Sequence, residues 1–437
     1  MVAQRGIRGI KIMPNTENIE EAGRISEEGF NYLVGRGVPQ DRERAKALFR
    51  QAAAMGEANA AFNLSQMLAE AEDPATYQEL ASLSTYVAEN HDDATAVNIA
   101  ENRLYLMYLN GWGVRQDLNT ALAWLERAAD HGNELSQSTL GIRYANGDGV
   151  IQDSQKALKY MQMAANNGSA EACFNLGQVY NFGNLGVQKN PARAVDYYRI
   201  ASEKGIGAAM APLADIMLNG AEGVEPDEAY AVLLIRKLAA RGNENAIGYL
   251  RNHGVTDLDA NMETVNVIEA AEHGDPEAMH EVGRYFMDGE ILPEHNGHAM
   301  EWLAKAAEKG HAEAKVRLAI YYEYDPEHLN PAYAMQLLQE ALAQGEVYAN
   351  YEIGKMYHEG NGVPQDDNMA MTHLHAAMEV GFADAPYLIS QIVTDPNAKL
   401  SWLRKAAEMG SEDAARELSA AQPQPRPKKK GFFGLFS

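Results

Sequence analysis

The chain has 437 residues and a formal net charge of −24, from 37 Lys and Arg against 61 Asp and Glu. Because such a surface repels phosphate backbones, we expect no nucleic-acid partner for the body of the protein. Cys173 is the only cysteine, so an intrachain disulfide framework is excluded, which is typical of a reducing compartment. No apolar run approaches the roughly 20 residues that span a bilayer. The sequence therefore predicts a cytoplasmic protein.

The first 19 residues carry basic side chains but lack the apolar run of a signal peptide, since glycines interrupt them. We interpret residues 1–19 as a flexible lead-in. Whether translation starts at Met1 or at Met13 stays open.

From residue 20 onward, glycines that suit helix ends recur along the chain. They are Gly56, Gly132, Gly168, Gly205, Gly242, Gly274, Gly310, Gly345, Gly381 and Gly410. From Gly132 on the intervals are about 29 to 37 residues, and the interval before Gly132 is twice as long. This period is typical of stacked helical hairpins, and it predicts about eleven units over residues 20–410.

Each unit has the same internal pattern. The first helix carries a large apolar residue, then a small one, then an aromatic, as in Leu176, Gly177 and Tyr180. The glycine predicts a close approach of the partner helix. A Gly-x-Gly-Val loop follows, and an aspartate such as Asp41 can cap the next helix. The second helix repeats the residues Ala299, Trp302, Ala306, Ala307 and Gly310.

The combination L/I-G-x-x-Y, G-x-G-V, A-x-x-W/Y and A-A-x-x-G resembles the Sel-1-like repeat family, relatives of the tetratricopeptide repeats. The resemblance covers about nine-tenths of the chain. It implies an all-α fold, a right-handed superhelical solenoid of helix-turn-helix repeats that serves as a binding scaffold. We predict a C-terminal capping helix at residues 411–421 and a disordered tail at residues 422–437.

Four units depart from the pattern. The second, residues 57–92, lacks the Gly-x-Gly-Val loop, and the seventh, residues 243–274, is short. The ninth replaces its loop with residues 324–328, and the eleventh shortens its loop to residues 394–396. Local bends of the solenoid explain such departures, and an adapted contact surface is the alternative at each.

No catalytic motif is present: the sequence lacks G-x-S-x-G, H-E-x-x-H, a P-loop and a dinucleotide fingerprint. Cys173 lies inside a predicted first helix, where a buried structural thiol is expected. Cysteine-rich members of the resembling family are linked to β-lactam binding and hydrolysis, but they carry paired cysteines that this chain lacks. We predict no enzymatic activity and no cofactor, and keep a peptidoglycan- or β-lactam-related hydrolase or binder as the alternative.

Histidines give no metal site from the sequence alone. His295 and His298 share a loop, with His280 one helix earlier, while His373 and His375 point about 200° apart on a helix. A zinc site needs three or four converging ligands. We therefore predict no bound metal.

In the resembling tetratricopeptide repeats, peptides bind along the concave surface that the first helices form. By register, that surface would hold the residue two positions before the apolar residue of the motif and the residue two positions after it. The residue directly before the apolar residue would lie beside them. The implied partner-binding residues are Phe62, Asn63, Gln66, Phe174, Asn175, Gln178, Arg284, Tyr351 and Lys355. Aromatic and amide side chains suit an extended peptide or a helix laid into a groove.

The tail is the one basic, aromatic segment of an acidic protein. Its candidate docking residues are Lys428, Lys429, Lys430, Phe432, Phe433, Leu435 and Phe436. Basic and apolar side chains together favour weak contact with an anionic membrane surface or with a groove of a partner. A tail without a role is the alternative.

These observations favour a non-enzymatic adaptor that binds a protein or peptide partner on the concave face. The resemblance places it in a bacterial signalling, envelope or stress assembly. A peripheral membrane protein located by its tail is a further alternative.

Overall fold

The computed structural model describes residues 16–326 and 328–421. Within these ranges the chain forms 23 α-helices and two short 3-10 helices, and its only β-type pairing is an isolated bridge between Ala221 and Val224. The predicted all-α fold of stacked hairpins is confirmed. The helices fall into two compact units, Met1–Pro226 and Asp227–Ser437, which we describe one at a time.

The first unit contains eleven of the described helices. They are α1 (Thr16–Val34), α2 (Arg42–Ala54), α3 (Ala58–Ala71), α4 (Tyr77–Asn90), α5 (Ala94–Asn110), α6 (Leu118–Asp130), α7 (Glu134–Asn146), α8 (Ser154–Asn166), α9 (Ala170–Phe182), α10 (Pro191–Glu203) and α11 (Met210–Asn219). Consecutive odd- and even-numbered helices up to α10 pack as five antiparallel hairpins, and each even-numbered helix also contacts the next odd-numbered one.

The second unit contains the other twelve described helices. They are α12 (Glu228–Ala240), α13 (Glu244–Asn252), α14 (Leu258–Glu272), α15 (Pro276–Asp288), α16 (Asn296–Glu308), α17 (Ala312–Tyr324), α18 (Pro331–Ala343), α19 (Ala349–Glu359), α20 (Asp367–Glu379), α21 (Asp384–Ile392), α22 (Pro396–Met409) and α23 (Glu412–Ala421). From α15 to α22 they form four regular hairpins, and α23 packs on α22. The count is consistent with the predicted eleven or so repeats.

Aspartates in the loops start the second helices, as the sequence predicts. Asp41 accepts a hydrogen bond from the backbone N–H of Arg44 at 2.9 Å, and Asp153 accepts one from Lys156 at 3.0 Å. Each bond satisfies one of the N–H groups that the first turn of a helix leaves free.

The small residue in the first-helix motif allows close helix packing. A Cβ atom at Gly177 would lie 2.6 Å from the ring of Tyr198 on α10, and one at Gly354 would lie 2.8 Å from Leu374 on α20. These distances are too short for any side chain larger than hydrogen. The glycine of the motif therefore sets the spacing within a hairpin.

The core of each unit runs along the line between first and second helices. The apolar residue of the motif is buried at Leu64, Leu104, Leu140 and Leu176 in the first unit. The second unit buries the equivalent residues Val282, Leu318, Ile353 and Ile389. Each such side chain contributes about 2 kcal/mol relative to an exposed one, so the repeated motif is chiefly a packing device.

Two irregular repeats have local explanations. In the second repeat a 3-10 helix, Pro74–Thr76, capped by Asp73, takes the place of the Gly-x-Gly-Val loop. The two helices of the seventh repeat, α13 and α14, both pack against α12 of the repeat before it. There the buried Arg236 donates hydrogen bonds to the side chain of Asn261 at 3.1 Å and to the carbonyl of Ile291 at 2.7 Å. Polar contacts thus supplement apolar packing where the repeat is short.

Candidate protein-interaction surface

Within each unit the first helices lie side by side, and their outward-facing positions form a surface, which we call the first-helix face of that unit. Direct side-chain contacts join neighbouring first helices along it: Arg103 of α5 reaches α3, and Arg317 of α17 reaches α15. The motif residue itself points inward, so residues two positions before and after it line this face. This is the register that the resemblance to tetratricopeptide repeats implies.

The six residues predicted in the first unit lie on two separate helices. Phe62, Asn63 and Gln66 are on α3, and all three are half-buried. The ring of Phe62 lies 5.8 Å from that of His91. The side-chain oxygen of Gln66 accepts a hydrogen bond from Arg103. Phe62 and Gln66 therefore already have partners within the chain.

The other three, Phe174, Asn175 and Gln178, are on α9, and the helices α5 and α7 intervene between α3 and α9. Phe174 packs 6.0 Å from the ring of Tyr198, while Gln178 is exposed. The structure thus distributes the predicted residues along the face and does not gather them into one site.

Apolar side chains on the same face were missed by the sequence analysis. Leu106 on α5 and Ile142 on α7 stand two residues after the motif residue and are 37% and 38% exposed, and Leu135 on α7 is exposed as well. Leu106 lines a groove of about 280 Å³ together with Tyr77, Arg103 and Trp112. Leu106 and Ile142 occupy the same register as the predicted Gln66 and Gln178, two residues after the motif residue.

Arg103 is the other missed residue of the first unit. Its guanidinium donates to the hydroxyl of Ser65 at 2.9 Å and to the side chain of Gln66. Burial lowers the pKa of Arg103 to about 10, with no acidic neighbour to offset it. A cation held by neutral acceptors on a half-open surface is well placed to meet an acidic group of a partner.

In the second unit the predicted Arg284 is held by its own helix. Its guanidinium pairs with Glu281 at 2.8 Å and with Asp288 at 3.2 Å, and these bonds raise its pKa. Exposed pairs of this kind contribute about 0.5 kcal/mol, so a partner carboxylate could replace them at little cost.

Tyr351 and Lys355, also predicted, lie together on α19. The ring of Tyr351 is 4.4 Å from that of Phe382, and burial raises the pKa of Tyr351. The ammonium of Lys355 lies 4.5 Å from the ring centroid of Tyr324, a cation–π contact. Tyr348, Tyr351 and Phe382 therefore form an aromatic patch, and Lys355 lies against the ring of Tyr324.

A groove of about 360 Å³ lies next to this patch. It is lined by Glu313, Val316, Arg317, Ile320, Glu346 and Tyr348. Tyr348 is 40% exposed and packs edge-on against Phe382 with 4.9 Å between ring centroids. An apolar floor, an exposed aromatic and charges of both signs are the composition of a peptide-binding groove.

Two groups of side chains in the second unit have the composition of metal ligands, with ligand atoms within 4.8 Å of one another. In the first, Asp227 accepts from His298 at 2.6 Å, and Nδ1 of His295 caps α16 by accepting from a backbone N–H at 3.1 Å. An imidazole that accepts at Nδ1 carries its proton on Nε2 and offers no second lone pair. Hydrogen bonding alone therefore accounts for this group.

The second group is Glu277, His280 and His311. Nδ1 of His311 caps α17 by accepting from the backbone N–H of Ala314 at 3.1 Å, and its Nε2 faces Glu277 at 3.0 Å. The guanidinium of Arg317 lies against His280, and its positive charge opposes a metal ion there. The expectation that the chain binds no metal stays a prediction.

Cys173 is buried on α9, and burial raises the pKa of its thiol. A reactive cysteine needs the opposite shift, so this thiol lacks the activation of a nucleophile.

The tail residues Lys428, Lys429, Lys430, Phe432, Phe433, Leu435 and Phe436 lie outside the described residues, and their proposed docking role stays a prediction. None of the described helices is long and apolar enough to cross a membrane.

Stacked helical hairpins, with their first helices side by side within each unit, define a helical-repeat protein of the interaction-scaffold class. The chain matches the Sel1 repeat at residues 29–57, 98–133, 135–169, 170–206, 207–243, 276–311, 312–346, 347–381 and 400–411. With more than half of its length matched, the chain belongs to the Sel1 repeat family. Proteins of this family are generally scaffolds for protein interactions, and their fold is typically non-catalytic.

The longest internal gaps between the matched segments are residues 58–97, 244–275 and 382–399. They coincide with the second, seventh and eleventh repeats, which depart from the motif in sequence. The ninth repeat is matched despite its altered loop.

Similar proteins come from bacteria and from yeast. The chain is 30% identical over 132 residues to chitin synthase regulatory factor 4 of Schizosaccharomyces pombe, covering 29% of this chain and 21% of that protein. It is 28% identical over 128 residues to an uncharacterised protein of Neisseria meningitidis, covering 29% of this chain and 27% of the relative. The chain thus spans about a quarter of the length of these relatives.

Two solved structures are similar over most of the chain. One is a protective antigen of uropathogenic Escherichia coli with a Sel1-like repeat fold, at 24% identity and a TM-score of 0.47, covering 96% of this chain and 100% of the other. The second is a Sel1 repeat protein from Oxalobacter formigenes, at 24% identity and a TM-score of 0.36, covering 97% of each chain.

Proposed function

We propose that this protein is a non-enzymatic adaptor of the cytoplasm that binds a protein or peptide partner on its concave, first-helix face, within a bacterial signalling, envelope or stress assembly. The observation that carries the proposal is the groove beside Tyr348. There an exposed aromatic, an apolar floor of Val316 and Ile320, and the charges of Glu313 and Arg317 converge on one surface.

Exposed apolar area on the first-helix face of the first unit supports the same proposal. Leu106 and Ile142 keep more than a third of their surface in water, on neighbouring first helices. The packing of the hairpins does not require either side chain to be exposed and apolar, and a bound partner would bury both.

The test uses matched pairs of substitutions in the first unit. Leu106→Asp with Ile142→Asp places two charges on the first-helix face. The control, Leu118→Asp with Ile200→Asp, places two charges on second helices at side chains of equal exposure, 40% and 39%. Quantitative affinity capture from the native cells compares each double variant with the unaltered chain.

We expect the first double variant to lose a partner that the control retains, because a buried unpaired charge opposes association. Retention of every partner by the first double variant, loss of the same partner from both variants, or loss from the control alone would refute the proposal. Circular dichroism and a thermal unfolding curve show that both variants keep the fold.

A further inference from the structure

Two glutamates lie beneath the first-helix face of the second unit. Glu323 ends α17 and Glu352 is in α19, and they are only 3% and 5% exposed. In each carboxylate one oxygen, Oε2, is buried and accepts no hydrogen bond. Buried acceptors are almost always paired, so two unpartnered carboxylate oxygens near one another indicate a missing donor.

The surroundings of the pair supply less positive charge than the two carboxylates need. Oε1 of Glu323 accepts from the hydroxyl of Tyr324 and from the amide of Asn361 at 3.4 Å. The ammonium of Lys355 lies 3.9 Å from Oε2 of Glu352, which is beyond hydrogen-bond distance. One lysine therefore neutralises the pair incompletely.

Burial raises the pKa of both carboxyl groups, and it raises the pKa of Glu352 to about 7. The negative charge of Glu359 raises the pKa of both groups further, and the negative charge of Glu323 also raises the pKa of Glu352. Several titratable groups of α17, of α19 and of the residue before α19 interact electrostatically with Glu352. They are Glu323, Tyr324, Tyr348, Tyr351, Lys355 and Glu359.

Three titratable groups on the other helices that pack on α19 have interactions of their own. Glu340 pairs with Lys315, His373 bonds to Asn350, and Asp384 acts on Tyr351. Among these groups, Lys355 is the one cation that acts on Glu352.

We propose that Glu323 and Glu352 together bind the guanidinium of an arginine side chain carried by the partner, an inference that rests on the proposed function of the first-helix face. A guanidinium has five N–H donors in a planar fork, more than the two carboxylates leave unmatched, and Glu323 and Glu352 interact electrostatically. The flexible side chain of Lys355 moves out toward water as the guanidinium enters, because two cations repel each other there. The partner is accordingly a basic peptide, complementary to a chain of net charge −24.

Binding is linked to pH, because the guanidinium interacts with the ionised form of Glu352. Below pH 7 this carboxyl is mostly protonated in the free protein, and above pH 7 it is mostly ionised. Affinity for a cation therefore rises with pH. Going from pH 8 to pH 6 lowers the ionised fraction about tenfold, so we expect about a tenfold weaker complex at pH 6.

The probe is the tripeptide acetyl-Gly-Arg-Gly-amide, and its reference is the same peptide with neutral citrulline in place of arginine. Ligand-observed NMR with the full chain at pH 8 measures the affinity of both. We expect selective binding of the arginine peptide, weakened about tenfold by Glu323→Gln with Glu352→Gln. Both substitutions preserve side-chain size and remove buried charge, so the fold is expected to persist; a thermal unfolding curve checks this.

A double variant with the same change in net charge is the control. Glu263→Gln with Glu308→Gln alters two exposed carboxylates on the second helices α14 and α16. It should leave binding of the arginine peptide unchanged. Equal binding of the arginine and citrulline peptides, no binding of either, or equal weakening by both double variants would overturn this inference. None of these results bears on the Leu106 and Ile142 variants, which test the proposed function separately.

Discussion

Arg317 on α17 donates a hydrogen bond from its Nε to Nε2 of His280 on α15, at 3.0 Å. The contact joins two neighbouring first helices, and it fixes the proton of this buried imidazole on Nδ1, which has no hydrogen-bond partner. Glu313 lies 3.6 Å from the same Nε2, and the ring of His311 stacks on that of His280 with 4.6 Å between centroids. This contact between α15 and α17 therefore requires His280 to be neutral.

Acidification should weaken this link. Burial lowers the pKa of His280 below its ordinary value of 6.5; the charges of His311 and Arg317 add to this, while Glu313 and Glu281 oppose it. The unfolded chain then binds a proton more readily than the folded one, so the contribution of His280 to stability is complete above pH 6.5 and falls as the pH drops below it. Protonation would also remove the acceptor that Arg317 uses.

We expect His280→Gln, which keeps an acceptor but cannot titrate, to lose less thermal stability than the unaltered chain between pH 7.5 and pH 5. His273→Gln, at an exposed histidine, is the control and should follow the unaltered chain. Identical pH dependence in all three proteins would contradict this role of His280.

Replacing Glu352 should stabilise the second unit at high pH. Since burial raises the pKa of this carboxyl from 4.5 to about 7, the folded state holds its proton more tightly than the unfolded chain, and stability falls as the pH rises through this range. Glu352→Gln removes that dependence. We expect the free energy of unfolding of the variant, minus that of the unaltered chain, to be about 3 kcal/mol larger at pH 8 than at pH 4.5, so the variant is the more stabilised at high pH.

Urea unfolding at the two pH values measures this difference, and Glu263→Gln, at an exposed carboxyl, is the control. A difference that does not change with pH would mean that Glu352 ionises as freely in the folded protein as in the unfolded chain.

The regular part of the fold follows from the sequence because its causes are local. The spacing of Gly132 and Gly168 gives the period, and an aspartate such as Asp153 marks the start of a second helix. The glycine of the motif marks where two helices touch. These features depend on residues close in sequence, so a single copy of the repeat predicts the others.

Much less of the candidate site could be predicted. Register alone placed Tyr351 and Lys355 on the first-helix face, but it gave no reason to expect that Glu323 and Glu352 are buried, since charged residues are normally solvated. In the structure Tyr324 and Asn361, which are distant from each other in sequence, both donate to the buried Glu323, and Glu352 is buried on the next first helix. Likewise, Arg284 has a suitable register, yet acids of its own helix hold it.

The close contact at Gly177 gives a test of the packing. Gly177→Ala places a methyl group 2.6 Å from the ring of Tyr198, which is fully buried and cannot yield, so we expect a loss of about 1–3 kcal/mol in the free energy of unfolding. Gly23→Ala on α1 is the control: nothing lies within 4 Å of its Cβ, and alanine there should stabilise by about 0.5–1 kcal/mol. Denaturant unfolding of both variants decides; equal destabilisation would contradict the packing role of the motif glycine.

Binding on the first-helix face is the central claim, and site-specific photo-crosslinking in the native cells tests it most directly. Benzoylphenylalanine replaces either Tyr348, which borders the groove at the start of α19, or Tyr333 on the second helix α18; the two tyrosines are 40% and 39% exposed. We predict a discrete crosslinked partner from position 348 and none from position 333. A partner crosslinked equally at both positions, or only at position 333, would contradict the claim.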